Sequence, residues 1–331
     1  MKMSKKKQTR YSGIGGQAVL EGVMMKNKDK YAVAVRKPDG EIDVTVEEYK
    51  GIGGDNKYAQ LPFIRGVFSF IDSLVLGMKV TMHSASFYEE EEEQPSKAEQ
   101  RLSKILGDKA DDIMMGFTVV LSVIIAVALF MLLPFFISDF LGKFIRNASI
   151  IAMIEGVVRI LIFVGYILAI SLMKDIKRLF MYHGAEHKCI NCIEKGRPLT
   201  VKDVKRCSRQ HKRCGTSFLL FVVLVSVIVF FFIRVDNMAL KLVLRLALVP
   251  VIAGISYELI RLAGRSDNAI INLLSKPGMW MQKLTTKEPD DDMIEVAIAS
   301  VEAVFDWKAY LKETFGYEVD DSWVNDSKEE A

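Results

Sequence analysis

The chain has 331 residues, half of them apolar, and balances 44 Lys and Arg against 41 Asp and Glu. A net charge of +3 argues against a nucleic-acid binder, because nearly every cation has an acidic counterpart. The apolar residues fall in blocks too long and too uncharged for a surface helix, so lipid is their expected solvent.

The chain opens on Lys2, Lys5, Lys6, Lys7 and Arg10 with no apolar run behind them, which reads as a cytoplasmic tail rather than a signal peptide. Residues 1–60 are expected to form a cytoplasmic Gly-rich segment followed by a β-hairpin. In the first part, Gly15-Gly16-Gln17-Ala18-Val19-Leu20-Glu21-Gly22-Val23-Met24-Met25 is no phosphate loop, since no Lys-Ser or Lys-Thr follows the glycines. Either the glycines permit close backbone approach and Glu21 offers a carboxylate to a cytoplasmic site, or they make a turn before a short helix. Tyr31–Val35 and Glu41–Val46 flank Pro38-Asp39-Gly40 and form the hairpin. Over residues 61–114, the run from Leu61 to Val80 is broken by Arg65, Asp72 and Lys79, the pattern of an amphipathic helix in the membrane interface or packed on a bundle. The acidic block Glu89–Glu93 is a solvated linker into a helix near Lys97–Leu106.

Four spans are expected, at 115–137, 150–173, 217–233 and 238–260, each long enough at about 1.5 Å per residue to approach a hydrocarbon core of about 30 Å. Glu155 and Arg159 interrupt the second, four apart on one helix face where they neutralise each other. Lys241 and Arg245 fall near the start of the fourth span and Glu258 near its end. The loop 174–216 carries Lys177, Arg178, Lys188, Arg197, Lys205, Arg206, Arg209 and Lys212, which places it in the cytoplasm. With an even number of spans both termini share that side, as does a helical tail over 261–331, in which Asp291–Phe305 repeats apolar residues at helical spacing. The fold class is thus a mainly α, polytopic membrane protein with four transmembrane helices and a small cytoplasmic α+β N-terminal region.

Three of the four His and all four Cys lie in the loop 174–216. In His183-Gly-Ala-Glu186-His187 the imidazoles are four apart and stack on one helix face, with Glu186 beside them. This H-x-x-E-H order suits a site in which two His and a distant carboxylate hold zinc while Glu186 takes a proton from water. Glu258, near the cytoplasmic end of the fourth span, is the candidate third ligand. A second cluster, Cys207, His211 and Cys214, offers a rival site, which Cys189 or Cys192 could close into a structural tetrahedron. His83 reads as structural.

The three motifs GGQAVLEGVMM, YHGAEHK (Tyr182 to Lys188) and RCGTSFL (Arg213 to Leu219), in that order across most of the chain, resemble the bacterial YqhQ-like family. That family is a domain of unknown function carrying the label of a predicted metal-dependent enzyme. The resemblance implies that Gln17, Glu21, His183, Glu186, His187, Arg213, Cys214 and Gly215 are family-defining, and that His183, His187, Cys214 or Glu258 are the shared ligands.

The expected protein is a multi-pass protein of the bacterial cytoplasmic membrane with a divalent metal, zinc, at its cytoplasmic face and Glu186 as the general base of a metal-dependent hydrolase. The alternative is a non-enzymatic accessory or scaffold protein of a membrane assembly such as protein translocation or membrane quality control. The expected partners are the lipid bilayer and a membrane protein, without nucleic acid. Intramembrane Glu155 and Arg159 alone would favour a transporter, and no broken helix is expected to accompany them.

Overall fold

The computed structural model describes residues 10–54, 56–88, 110–233, 235, 237–265 and 268–316. The basic stretch at Lys2–Lys7, the acidic run Glu89–Glu93 and the helix expected near Lys97–Leu106 lie outside the described residues. The chain is mainly helical, with one small antiparallel sheet near its start.

That sheet has four strands in chain order, β1 (Gly15–Val19), β2 (Gly22–Asn27), β3 (Lys30–Arg36) and β4 (Ile42–Glu48). Strands β3 and β4 are the hairpin read around Pro38-Asp39-Gly40, with Ala34 opposite Val44. The glycine segment is not a turn leading into a helix; it is a second hairpin, β1–β2, with Val19 opposite Gly22 and Glu21 at φ 47° in the reversal. Its strand character was hidden because Val23, Met24 and Met25 are all buried, which removes the alternation that marks a half-exposed strand.

Twelve α-helices follow among the described residues, after a single 3-10 turn at Lys57–Gln60. They are α1 (Ile64–Ala85), α2 (Ala110–Val127), α3 (Leu133–Gly142), α4 (Ala148–Ile170), α5 (Lys174–Glu194), α6 (Val201–Lys205), α7 (Gly215–Phe231), α8 (Met238–Ala247), α9 (Val249–Arg265), α10 (Ala269–Thr285), α11 (Asp291–Val304) and α12 (Trp307–Phe315). They sort, with the sheet, into two compact units. One draws on Met1–Tyr88, Leu168–Val222 and Ala247–Ala331, the other on Glu89–Ile167 and Val223–Leu246.

The first unit assembles three segments far apart in sequence around one core. Val23, Met25 and Ala34 of the sheet meet Tyr182, Ala185, Ile190 and Ile193 of α5 and Ile294, Ala297 and Val301 of α11. The stretch read as a basic loop therefore begins with a 21-residue helix. Its C-terminal half, from Gly184 to Glu194, is buried without a break. Its polar letters conceal this, because Glu186, His187, Lys188 and Asn191 are buried with their polar atoms hydrogen-bonded to backbone groups of other segments. On the other side of the sheet, α1 sets Leu76 and Val80 against Val19, Tyr31 and Val35 and leaves Ile71, Leu74, Val75, Met78 and Met82 exposed.

In the second unit, α2 runs through a π-helical turn at Ala128–Leu132 into α3, where Pro134 lacks the N–H that a regular turn would use. Glu155 and Arg159 pair across one turn of α4 at 2.7 Å, as their spacing requires. Arg245 of α8 also donates to Glu155, at 2.8 Å, so the carboxylate sits between two guanidiniums, all three no more than 4% exposed.

Among the described residues, three helices are long and apolar enough to cross a membrane: Gly116–Gly142, Ala148–Ile170 and Met238–Gly264. The fourth expected span, α7, has 17 residues, so its regular part alone reaches about 26 Å. The Met238–Gly264 helix is interrupted at Leu248, between α8 and α9. Pro250 explains the break, since it cannot donate to the carbonyl four residues earlier.

Candidate metal centre

His183, Glu186 and His187 occupy one face of α5 because residues three and four apart lie over one another on a helix. The imidazole centroids of His183 and His187 are 4.4 Å apart. Between them sits Gly184, a poor helix former whose reason is tertiary. The chain leaving α10 crosses α5 there, with the Lys287 N–H donating to the Phe180 carbonyl at 2.8 Å. A Cβ on Gly184 would run into the Lys287 carbonyl oxygen. The close crossing brings the Thr285 carbonyl within 2.9 Å of His183 Nδ1.

The loop between α6 and α7 is fastened to the same helix. Lys188 Nζ donates to the Lys205 carbonyl at 2.7 Å, and Asn191 Nδ2 donates to the Ser208 and Gln210 carbonyls at 2.7 and 3.0 Å. Gln282 of α10 holds His211 at both ends of its peptide, accepting from its N–H and donating to its C=O. This wrapping delivers the Arg209 carbonyl to His187 Nδ1 at 2.7 Å and the Cys214 Sγ to His183 Nε2 at 3.2 Å.

These contacts fix the tautomers. A carbonyl oxygen can only accept, so each Nδ1 carries a hydrogen and each Nε2 turns its lone pair the other way. The ligand atoms of His183, His187 and Cys214 all lie within 4.8 Å of one another. Histidines whose second nitrogen is tied to a carbonyl are the usual partners of a metal, and a His, His, Cys set matches zinc or a similar soft-to-borderline cation. The donor set therefore fits a divalent ion with one further position open.

Charge points the same way. Burial raises the Cys214 thiol, but His183 and His187 outweigh it and hold the group well below its ordinary range. Burial works against a charged His183, yet Cys214 and Glu186 push it up to about 9. At that value His183 also carries a proton on Nε2, an imidazolium beside a thiolate, and a cation binding there would displace that proton and take the Nε2 lone pair together with the thiolate. Glu186 is raised above the usual carboxylate range by burial, against the opposing pull of His187 and His183. The β1 edge reaches it at Gly16, where a Cβ would stand 3.0 Å from Glu186 Cγ and 2.5 Å from the Met24 carbonyl oxygen.

The other expected ligands are elsewhere. Glu258 is not with the triad, because Arg65 takes both its oxygens, at 2.7 and 2.5 Å, and the Phe63 N–H donates to it at 3.2 Å. Cys207 and His211 do not join Cys214 in one group among the described residues. Cys207 lies in the apolar core with Cys189 and Cys192, its Sγ donating to the Asp203 carbonyl at 3.3 Å. His211 Nε2 faces Glu194 at 3.2 Å, and Arg213 pairs with the same carboxylate while stacking on Tyr11 at 3.8 Å. Glu21 meets Arg178 and Tyr182 instead of the triad, and Gln17 reaches the Gly77 carbonyl at 3.5 Å. His83 packs edge-on against Phe87. Thr285, the Arg209 carbonyl and Glu194 carry no sequence signal that would single them out.

This fold, a small sheet and apolar helices around a buried His, His, Cys cluster, defines an uncharacterised class of helical protein with three candidate membrane spans. The chain belongs to the family described as Protein of unknown function (DUF1385), whose pattern matches residues 61–307. It is 39% identical over 290 residues to the Uncharacterized protein YqhQ of Bacillus subtilis (strain 168), covering 86% of this chain and 90% of that relative. No solved structure matches the chain.

Proposed function

We propose that this is an integral membrane protein that holds zinc on His183, His187 and Cys214 and uses it for hydrolysis, with Glu186 as general base. The observation that carries the reading is the paired Nδ1 anchoring, to Thr285 and Arg209, that turns both Nε2 atoms toward the Cys214 sulfur. Three protein ligands are the count of a catalytic zinc site, whereas a structural one takes four. When bound, the ion supplies Lewis-acid polarisation of a substrate oxygen. Glu186, whose carboxyl burial raises above its ordinary value, accepts a proton from the attacking water and returns it to the leaving group.

In this reading α7 is a fourth span, extended by the residues on either side of its regular turns. The basic character of residues 174–216 supports a cytoplasmic face of the bacterial membrane for the metal centre and, with four spans, for both termini. Residues 1–60, 61–114 and 261–331 are its remaining cytoplasmic pieces.

The test is elemental analysis of the detergent-purified full chain, paired with a hydrolase screen. Near-stoichiometric zinc is expected in the wild type and in Glu186→Gln, with turnover abolished in the latter, and the metal is lost in His183→Ala combined with His187→Ala. A wild type that takes up no metal after zinc reconstitution would refute the proposal. An active Glu186→Gln would refute Glu186 as the general base, and a zinc-loaded wild type without turnover on any substrate class would leave the accessory-protein reading in its place.

A further inference from the structure

A cavity of about 520 Å³ lies in the first unit, between α1, the loop that follows β4 and the last turns of α9. Four cationic side chains line it, Lys50, Arg65, Arg213 and Arg261, against a single acid, Asp72. Two of the cations are committed, Arg65 to Glu258 and Arg213 to Glu194. Asp72 is occupied as well, its Oδ1 accepting from the Tyr49 hydroxyl at 3.0 Å and the Ile52 N–H at 2.6 Å. Lys50 and Arg261 make no close ion pair among the described residues, and the acid that Arg261 feels through space, Glu258, already has both oxygens held by Arg65. Two cations with no acid in close contact, facing one cavity, are best neutralised by an anion entering between them.

The surroundings say what kind of anion. Tyr11, Phe68 and Tyr257 contribute aromatic surface to the cavity, and α1, which supplies Arg65 and Asp72, also carries the exposed apolar residues Ile64, Ile71 and Leu74. Tyr257 and Arg261 are in the last two turns of the apolar helix Met238–Gly264, the level at which a spanning helix meets headgroups. Guanidinium and ammonium groups beside tyrosines at a helix end are suited to a phosphate ester joined to an apolar body.

We infer that this cavity binds the phosphate group of an anionic phospholipid, with Lys50 and Arg261 as its charged contacts and the chains lying along α1. The site is independent of the metal reading, since none of the triad lines it.

Native mass spectrometry of the full chain, released from nanodiscs of phosphatidylglycerol or of phosphatidylcholine, tests this directly. Retained phosphatidylglycerol without retained phosphatidylcholine is expected for the wild type and for the surface control Lys30→Gln. Retention should fall about tenfold in Lys50→Gln combined with Arg261→Gln, the loss expected for charge-assisted contacts, and Arg261→Lys should recover most of it. A parallel titration with glycerol phosphate, read by thermal shift, separates the two sources of the group. A response there as strong as to the lipid would support the phosphate site but assign it a soluble ligand. Equal phosphatidylglycerol retention by the double variant and the wild type, with no response to glycerol phosphate, overturns the inference. Zinc content, unchanged in the double variant, keeps this outcome separate from any failure of the metal centre.

Discussion

The Thr285 carbonyl accepts from His183 Nδ1 at 2.9 Å, so the C-terminal end of α10 sets the tautomer of a histidine 102 residues earlier in the chain. That contact depends on how closely the 285–287 segment passes α5, and Gly184 sets the distance of approach. Gly184→Ala should gain about 1 kcal/mol in helix propensity and lose more than that, because the obstacle is a backbone carbonyl that cannot rotate away. The expected outcome is a lower melting temperature and lower zinc occupancy, both read on the purified full chain.

The two sulfurs that the sequence grouped together should part company. Cys214→Ser should cost at least tenfold in zinc affinity, since it replaces the thiolate in the triad. Cys207→Ala removes a core sulfur and should leave zinc stoichiometric while costing about 1 kcal/mol of stability. Elemental analysis beside thermal denaturation distinguishes the two, and equal metal loss in both variants would contradict the assignment.

Topology makes Glu258 a candidate ligand, and geometry makes it an ion-pair partner of Arg65. Glu258→Gln should retain zinc and weaken the tie between α1 and α9, read as faster proteolysis near Phe63. Metal loss in this variant would return Glu258 to the site.

Glu194 gives a pH dependence with a definite sign. Burial would raise its carboxyl, but His211 and Arg213 hold it down to about 2. A depressed carboxylate contributes stability that is complete above its ordinary value of 4.5 and is lost as pH falls from there toward 2. Glu194→Gln should therefore lower stability at neutral pH by about 3 kcal/mol. It should also flatten the acid dependence between about pH 4.5 and 2, measured by denaturation in detergent at stepped pH.

Much of this protein can be read locally. Apolar runs announce the spanning helices, because lipid rewards length and uniformity. The four-residue spacing of Glu155 and Arg159 announces their pairing, and that of His183 and His187 announces a shared face, because helix geometry is a property of the chain itself. Pro38-Asp39-Gly40 likewise marks the β3–β4 hairpin. What no local rule could supply is the company these elements keep. Arg245 joining Glu155, Cys214 joining the histidines, and Arg65 claiming Glu258 each depend on which segments pack together. The strands of the first hairpin and the buried half of α5 were obscure for the same reason. They face protein on most sides, so their hydrophobic and polar patterns follow the neighbours they meet rather than the period of strand or helix.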